Sequence, residues 1–253
     1  MDLRILGCSG GEAEGNRLTG LLVNGALAID AGSLTQALTV PEQAAIRQIF
    51  ISHSHLDHVC TLPFFTKNIY GKVTRPVQIH ALPETLDALR RHLFNDEIWP
   101  DFSVIPSPEH PVIRFSEITS GRTYELEGLR VTPIPVDHLV PCVGYLVEDD
   151  HSAFIFSSDT GPTDELYEVA NRTKHLKLFI TEVSFPNDQA RLAKASRHLT
   201  PRQLAQELKK LKVKVPVGIY HLTPGDREVI LPQLSALKDP RLQVLQQDAT
   251  FSW

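Results

Sequence analysis

The chain has 253 residues and a formal net charge of -5, and 42% of its residues are hydrophobic. The length fits one large domain or two small ones, and the acidic balance argues against a basic surface for a nucleic-acid backbone. The three cysteines suggest no disulfide framework and favour a cytoplasmic protein. Neither a signal peptide nor a membrane span is expected, because no apolar run has the required length.

Short runs rich in β-branched and aromatic residues alternate with segments of helical periodicity. Strands are predicted over residues 3–6, 21–23, 26–29, 49–51, 77–80, 129–136, 143–147, 153–156, 177–182 and 215–220. Helices are predicted over residues 34–47 with a break at Pro41, over 62–70 and 83–94, and from the N-cap Thr200 onwards. The Pro-rich residues 101–117 predict a surface loop. This alternation predicts one mixed α/β domain over residues 1–253.

A glycine-rich turn and an aspartate follow the first predicted strands. The turn, residues 7–11 (GCSGG), matches a phosphate-binding loop only weakly and is interpreted as a plain turn. The dipeptide Asn24-Gly25 predicts a hairpin, and Asp30 ends its second strand. Two roles stay open for Asp30, which are to cap a turn or to support a nearby site.

Residues 49–58, with the sequence IFISHSHLDH, are the most informative stretch of the chain. An apolar strand leads here into three histidines and one aspartate. His53 and His55 are two positions apart, so in an extended chain they point to the same side. Asp57 and His58 follow as the chain turns. Because imidazole nitrogen and carboxylate oxygen suit zinc, iron or manganese, the spacing predicts a metal site, with two ions as the favoured number.

Three later strand ends carry the same residue types. His138, Asp159 and His221 each follow an apolar run, so each is expected at the same edge of a sheet as the first cluster. His80 and His92 have no partners at ligand spacing and are interpreted as structural or solvated residues.

Four motifs of this chain resemble, in order, the motifs of the metallo-β-lactamase superfamily. They are the H-x-H-x-D-H run, the isolated His138, the Ser-Asp-Thr-Gly turn at Asp159 and the final His221. The resemblance implies a four-layer αββα sandwich with two divalent metal ions, zinc being the first choice and manganese or iron the alternatives. It implies that one ion is held by His53, His55 and His138 and the other by Asp57, His58 and His221, with Asp159 bridging the two. Such a pair of ions suits the hydrolysis of phosphodiesters.

The branches of the superfamily differ in the residue types at several motif positions, and these positions can be compared with this chain. Flavo-diiron oxidoreductases carry a glutamate in place of His55, and secreted β-lactamases often carry a cysteine in place of Asp159. Leu56 within the cluster resembles the signature of class II cyclic-nucleotide phosphodiesterases, although residues 59–61 lack the glycine of that signature. Ribonuclease Z carries a long tRNA-binding arm between the isolated histidine and the later aspartate motif, and the interval from His138 to Asp159 is too short for such an arm.

His198 precedes the helix cap Thr200, and both phosphodiesterase branches carry a His-x-Thr element at this place. The resemblance implies Asp57 and His198 as catalytic residues, with His198 as the general acid at the leaving group. It also implies a homodimer.

The predicted function is a metal-dependent phosphodiesterase, a hydrolase of small anionic phosphodiesters and first of all of 3′,5′-cyclic nucleotides, whose substrate-binding residues stay unknown. One alternative is a ribonuclease Z-like tRNA 3′-processing endonuclease, which the acidic net charge disfavours. The other is a non-catalytic metal-binding scaffold, against which the presence of all seven ligand positions argues.

Overall fold

The computed structural model describes residues 1–253, which divide into two compact units. The first unit comprises Met1–Gly7, Arg17–Thr119 and Gln247–Ser252, and the second comprises Cys8–Asn16, Ser120–Gln246 and Trp253. Each unit contains a seven-stranded sheet with helices. The predicted α/β class is therefore confirmed, and the single domain over residues 1–253 stays a prediction.

The strands are β1 (Asp2–Gly7), β2 (Gly20–Val23), β3 (Leu27–Ile29), β4 (Gln48–Phe50), β5 (Val77–Ala81), β6 (Ile113–Glu117), β7 (Tyr124–Leu126), β8 (Leu129–Pro135), β9 (Val143–Glu148), β10 (Ala153–Phe156), β11 (Leu176–Glu182), β12 (Val217–Tyr220), β13 (Leu242–Val244) and β14 (Thr250–Ser252). The α-helices are α1 (Leu34–Ala37), α2 (Val40–Ala45), α3 (Leu56–Val59), α4 (Leu62–Ile69), α5 (Pro83–His92), α6 (Glu165–Arg172), α7 (Ala190–Ser196), α8 (Pro201–Glu207) and α9 (Arg227–Ser235). No helix is both long and apolar enough to cross a lipid bilayer.

Both sheets are mixed. The sheet of the first unit has the order β14-β1-β2-β3-β4-β5-β6, in which β3 to β6 are parallel and the remaining neighbours are antiparallel. The sheet of the second unit has the order β13-β12-β11-β10-β9-β8-β7, in which β10 to β13 are parallel. Each sheet therefore has an edge at which the carboxyl ends of parallel strands meet, and side chains after these strands lie close together.

Each unit buries its own apolar core. In the first unit, α4 packs Leu62, Phe65 and Ile69 into the core, and this spacing is that of one helix face. In the second unit, Leu204 and Leu208 contribute in the same way from α8 and its end. These cores fix the strands whose ends carry the candidate metal donors.

Two predicted elements differ from the structure. The helix predicted over residues 34–47 is two helices, and Pro41 lies in the first turn of α2, where Thr39 and Glu42 form a capping box. The surface loop predicted over residues 101–117 was wrong for its last five residues, which form the edge strand β6 beside β5. Helices α6, α7 and α9 were not predicted.

Candidate metal centre

In the first unit, polar side chains gather where β3 and β4 end. The two strands are parallel, so their carboxyl ends lie side by side. β3 leads into Asp30, and β4 leads within a few residues into Ser52 and His53. His55 then occupies the N-cap position of α3, and Asp57 lies in the first turn of that helix. The sequence from strand to short helix thus brings the whole H-x-H-x-D-H run to one edge of the sheet.

Asp30 and Ser52 fix the imidazoles of His53 and His58, and all four side chains are fully buried. Asp30 Oδ2 lies 2.7 Å from His58 Nδ1 and 2.9 Å from Ser52 Oγ. Ser52 Oγ in turn lies 3.0 Å from His53 Nδ1. Because a carboxylate only accepts, His58 and Ser52 donate to Asp30, and His53 donates to Ser52. We call these four residues the Asp30 support.

The Asp30 support determines which nitrogen of each ring can bind a metal. Hydrogen on Nδ1 leaves the lone pair of His53 and of His58 on Nε2, the arrangement found when a carboxylate orients a metal-bound histidine. Asp30 itself adopts a left-handed backbone, with a φ of 58°, which aspartate tolerates. Of the two roles open for Asp30, the structure shows the supporting one.

His55 and Asp57 complete the candidate donors of the first unit. The ring of His55 lies 4.7 Å from that of His53 between centroids. Asp57 Oδ2 lies 3.6 Å from His58 Nε2. Since the lone pair of His58 is on Nε2, a carboxylate oxygen and an imidazole nitrogen face each other as two electron-pair donors. A positive charge between them, either a proton or a metal ion, would offset their repulsion.

In the second unit, candidate donors again follow strands that run in one direction. β10, β11 and β12 are parallel, and they lead into Asp159, Glu182 and His221. β8 runs in the direction of β10, because each pairs antiparallel with β9 between them, and it leads into His138. The three later ligand candidates share one edge of this sheet, as expected. The expectation that the first cluster lies at the same sheet edge was wrong, because that cluster follows β4 of the other sheet.

Glu182 and Ser184 fix the imidazoles of His198 and His221. Glu182 Oε1 lies 2.8 Å from His198 Nδ1, and Glu182 Oε2 lies 2.9 Å from Ser184 Oγ. Ser184 Oγ lies 2.9 Å from His221 Nδ1. By the same reasoning, His198 and Ser184 donate to Glu182, and His221 donates to Ser184. We call these four residues the Glu182 support.

His221 and Asp159 also present two electron-pair donors to each other. The Glu182 support leaves the lone pair of His221 on Nε2, and this atom lies 3.2 Å from Asp159 Oδ2. Both side chains are buried, at 5% and 2% exposure, so water does little to relieve the repulsion. Imidazole nitrogen and carboxylate oxygen are ligands of zinc and manganese, and the donors of each unit therefore fit divalent metal ions.

His198 lies beside the candidate donors of its unit. Its ring stacks on that of His221, with centroids 5.4 Å apart and planes at 15°, and meets the ring of His138 edge-on at 5.1 Å. Arg197 fixes the neighbouring backbone, because its Nη1 donates to His138 O at 2.6 Å and its carbonyl lies 3.3 Å from His138 Nδ1. The side chain of His198 is 13% exposed, which makes it more exposed than the buried candidate donors of the same unit, His138, Asp159 and His221.

The sequence reasoning did not identify Ser52, Glu182 and Ser184. Glu182 carried a usable signal, since it is a carboxylate at the end of an apolar strand, and such a charge requires a partner when buried. The two serines carried none, because serine is common after strands. Of the other histidines, His80 is buried within the sheet and His92 is exposed, as predicted.

Comparison with known proteins agrees with this geometry. The β-lactamase superfamily domain matches residues 22–220, which include every candidate metal donor except His221. A probable 3′,5′-cyclic-nucleotide phosphodiesterase of Yersinia pestis is 29% identical, over 95% of this chain and 85% of that protein. A ribonuclease Z of Metallosphaera sedula is 31% identical, over 60% of this chain and 50% of that protein. The solved structure of unliganded yeast PDE1 has a TM-score of 0.80 at 20% identity and covers 98% of both chains.

The matched domain spans most of the chain, and the structural likeness confirms the predicted fold. The relatives also carry the names of the two branches that the sequence motifs favoured. The chain belongs to the metallo-β-lactamase superfamily and is a hydrolase of that superfamily.

Proposed function

We propose that this chain is a dinuclear metal-dependent phosphodiesterase that hydrolyses small phosphodiesters, with 3′,5′-cyclic nucleotides as the first candidates. The observation that carries the proposal is the pair of matching supports, each of which fixes two imidazoles by their Nδ1 atoms. A fold that needed only polar side chains would not require the same orientation four times. The relatives named as cyclic-nucleotide phosphodiesterases support the choice of substrate class.

In this proposal seven side chains would hold the metal ions. His53, His55 and His138 would hold one ion, Asp57, His58 and His221 would hold the other, and Asp159 would contribute to both. Zinc is the first candidate because it accepts nitrogen and oxygen ligands alike, and manganese or iron are the alternatives. Bound ions would supply positive charge near the phosphodiester and would make the attacking water more acidic.

The chain's own residues supply the proton chemistry at the leaving group. Hydrolysis of a 3′,5′-cyclic phosphodiester forms a bond from the water oxygen to phosphorus and breaks the bond from phosphorus to the ribose O3′, which must gain a proton. We assign this proton to His198 Nε2, because Nδ1 is held by Glu182. The carboxylate of Glu182 stabilises the protonated ring and fixes its orientation. Asp57, whose carboxylate is 26% exposed, is assigned to orienting the attacking water.

A ribonuclease Z-like endonuclease is the second candidate, because one group of relatives carries that name. The interval between His138 and Asp159 argues against it, since β9, β10 and a short turn fill it. That turn carries the acidic residues Asp149 and Asp150. Although burial raises the pKa of Asp149, bonds from the backbone N–H groups of His151 and Ser152 outweigh this and lower it to about 2. A permanently acidic hairpin is a poor contact for a polyanion.

A substrate panel tests the proposal directly. The protein, purified without chelator, is assayed against 3′,5′-cyclic AMP, 3′,5′-cyclic GMP, a cyclic dinucleotide and a precursor tRNA. We expect turnover of the cyclic mononucleotides, its loss on chelation and its return with zinc or manganese. Asp159→Asn should abolish turnover, and His92→Asn, at an exposed histidine of α5, is the matched control. Cleavage of precursor tRNA without cyclic-nucleotide turnover would favour the second candidate.

A further inference from the structure

The glycine-rich loop after β1 lies against His221. The backbone N–H of His221 donates to Cys8 O at 2.7 Å, and that of Gly10 donates to Leu222 O at 3.2 Å. Ser9 pairs with Leu222 as an isolated parallel bridge. The loop therefore holds the backbone immediately before and after the imidazole of His221. This loop was interpreted from sequence as a plain turn.

His221 occupies the space that a side chain at position 10 would need. The backbone of Gly10 is not in the left-handed region, so the conformation alone does not demand glycine. A Cβ at this position would lie 2.5 Å from His221 O, 2.7 Å from His221 Nδ1 and 2.9 Å from His221 Cε1. All three distances are shorter than atoms of this kind can approach, so any side chain here must displace His221.

His221 is itself in a conformation that its surroundings must hold. Its φ is 67°, in the left-handed region that a histidine rarely adopts. On the ring, Nδ1 is bound by Ser184 at 2.9 Å, and Nε2 lies 3.2 Å from Asp159 Oδ2. A small displacement therefore changes both the backbone bond to Cys8 and the geometry of the electron pair on Nε2.

We infer that residues 8–11 form a positioning loop for His221 and that Gly10 sets the affinity of the metal ion to which His221 contributes. The inference rests on the proposed function, because it takes His221 as a metal donor. Substitution of Gly10 should weaken binding of the ion assigned to His221. Binding of the ion assigned to His53 and His55 should stay nearly unchanged. The loop thus contributes to the metal centre although none of its residues is a ligand.

Metal affinity gives a test that does not depend on activity. Wild type, Gly10→Ala and Gly225→Ala are titrated with zinc in competition with a chromophoric chelator. Gly225 is the matched control, because it lies four residues after His221, has no left-handed φ, and a Cβ there meets nothing within 4 Å. We expect Gly10→Ala to bind one of its ions about 10–100-fold more weakly, the effect typical of changes behind a metal ligand. Gly225→Ala should match the wild type.

Three results would overturn the inference, and they are distinguishable. If wild type and Gly10→Ala bind two ions with equal affinity, the loop does not position His221, and the proposed function survives. If the wild type binds no metal, the proposed function fails and the inference fails with it. If Gly10→Ala does not fold, it is combined with His221→Ala, which removes two of the three close contacts. Folding of the double variant would show that the imidazole caused the failure, whereas its failure to fold would show that Gly10 serves the backbone alone.

Discussion

The Asp30 support and the Glu182 support use the same chemistry in the two units, yet they differ in the exposure of what they hold. Each consists of a buried carboxylate, a serine that donates to it, and two imidazoles fixed by Nδ1. Both imidazoles of the Asp30 support are fully buried. In the Glu182 support, His221 is buried and His198 is 13% exposed.

This difference suggests that the same arrangement of carboxylate, serine and imidazoles serves metal binding in one case and proton transfer in the other. A buried imidazole with a fixed lone pair suits a metal ligand, because it exchanges no protons with solvent and keeps its geometry. A partly exposed imidazole beside a carboxylate suits proton transfer, because solvent can return the proton after each turnover. This difference supports the proposed roles, which are metal binding for three of the four supported imidazoles and acid catalysis for His198.

The largest expected effect distinguishes His198 from the other three supported imidazoles, His53, His58 and His221. His198→Ala should lower kcat for a cyclic nucleotide by about 10²–10⁴-fold, the range of general acid catalysis, with metal content and folding unchanged. Bis-p-nitrophenyl phosphate has an activated leaving group, so the activity of the variant towards this substrate should fall less. His92→Ala is the matched control. Loss of metal would place His198 among the metal donors, and an equal loss of activity with both substrates would show that His198 is not the general acid. Either result would remove the proposed difference between the supports.

His80 is a buried imidazole that no carboxylate or serine holds by Nδ1, and it provides a contrast to the two supports. His80 donates to the neutral amide of Gln48 at 2.8 Å and stacks on Phe50, so burial lowers its pKa from 6.5 to about 4. Because the unfolded chain then binds more protons between these values, the free energy of unfolding should fall by about 3 kcal/mol as the pH falls from 6.5 to 4.

The measurement for His80 is urea unfolding at pH 7 and pH 4.5. His80→Gln keeps a donor for Gln48 and should remove this component of the acid sensitivity, although it costs packing at both pH values. His92→Gln, at an exposed histidine, should leave the pH dependence of the wild type unaltered. If His80→Gln and wild type lose the same stability on acidification, His80 is not neutral in the fold.

Asp30→Asn tests the metal-binding side of the comparison. Asparagine keeps the size of the side chain but removes the charge that fixes Nδ1 of His58. Metal affinity should fall by about 10–100-fold, and kcat should recover when metal is saturating. Metal titration and kinetics on the same protein measure both quantities. A fall in kcat at full metal occupancy would contradict a purely supporting role for Asp30.

The smallest expected effect is that of Glu182→Gln. Glutamine keeps a hydrogen-bond acceptor for His198 but removes the charge that stabilises the protonated ring. A hydrogen bond to a charged group contributes about 1 kcal/mol more than a neutral one, so kcat should fall about fivefold. The affinity for metal should fall less than in Asp30→Asn, since His221 binds Ser184 and not Glu182. A larger loss of metal than in Asp30→Asn would reverse the assignment of the two supports.

The candidate donors stand out in the sequence because histidine and aspartate after apolar strands are uncommon and occur here in the order of the superfamily motifs. The supports could not, because their partners are far apart along the chain. Ser52 and Asp30 are 22 positions apart, and Ser184 and His221 are 37 apart. Only the pairing of strands brings such residues together, and no local pattern encodes it.

The fold was predictable where local rules agree with burial. β11 and β12 are buried almost throughout and read as continuous apolar runs. β6 was missed because Pro106, Pro108 and Pro111 precede it and make the whole segment resemble a loop. α9 was missed in part because Pro232 lies inside it, where local rules predict a break.

The number of metal ions per chain tests the central claim most directly. The protein is purified without chelator, and its zinc, manganese and iron are measured by elemental analysis against protein concentration. The proposed ligand set predicts about two ions per chain in the wild type and a reduced content in Asp159→Asn, which would lose the carboxylate proposed to serve both ions. A single ion per chain that is unchanged in Asp159→Asn would contradict the dinuclear centre.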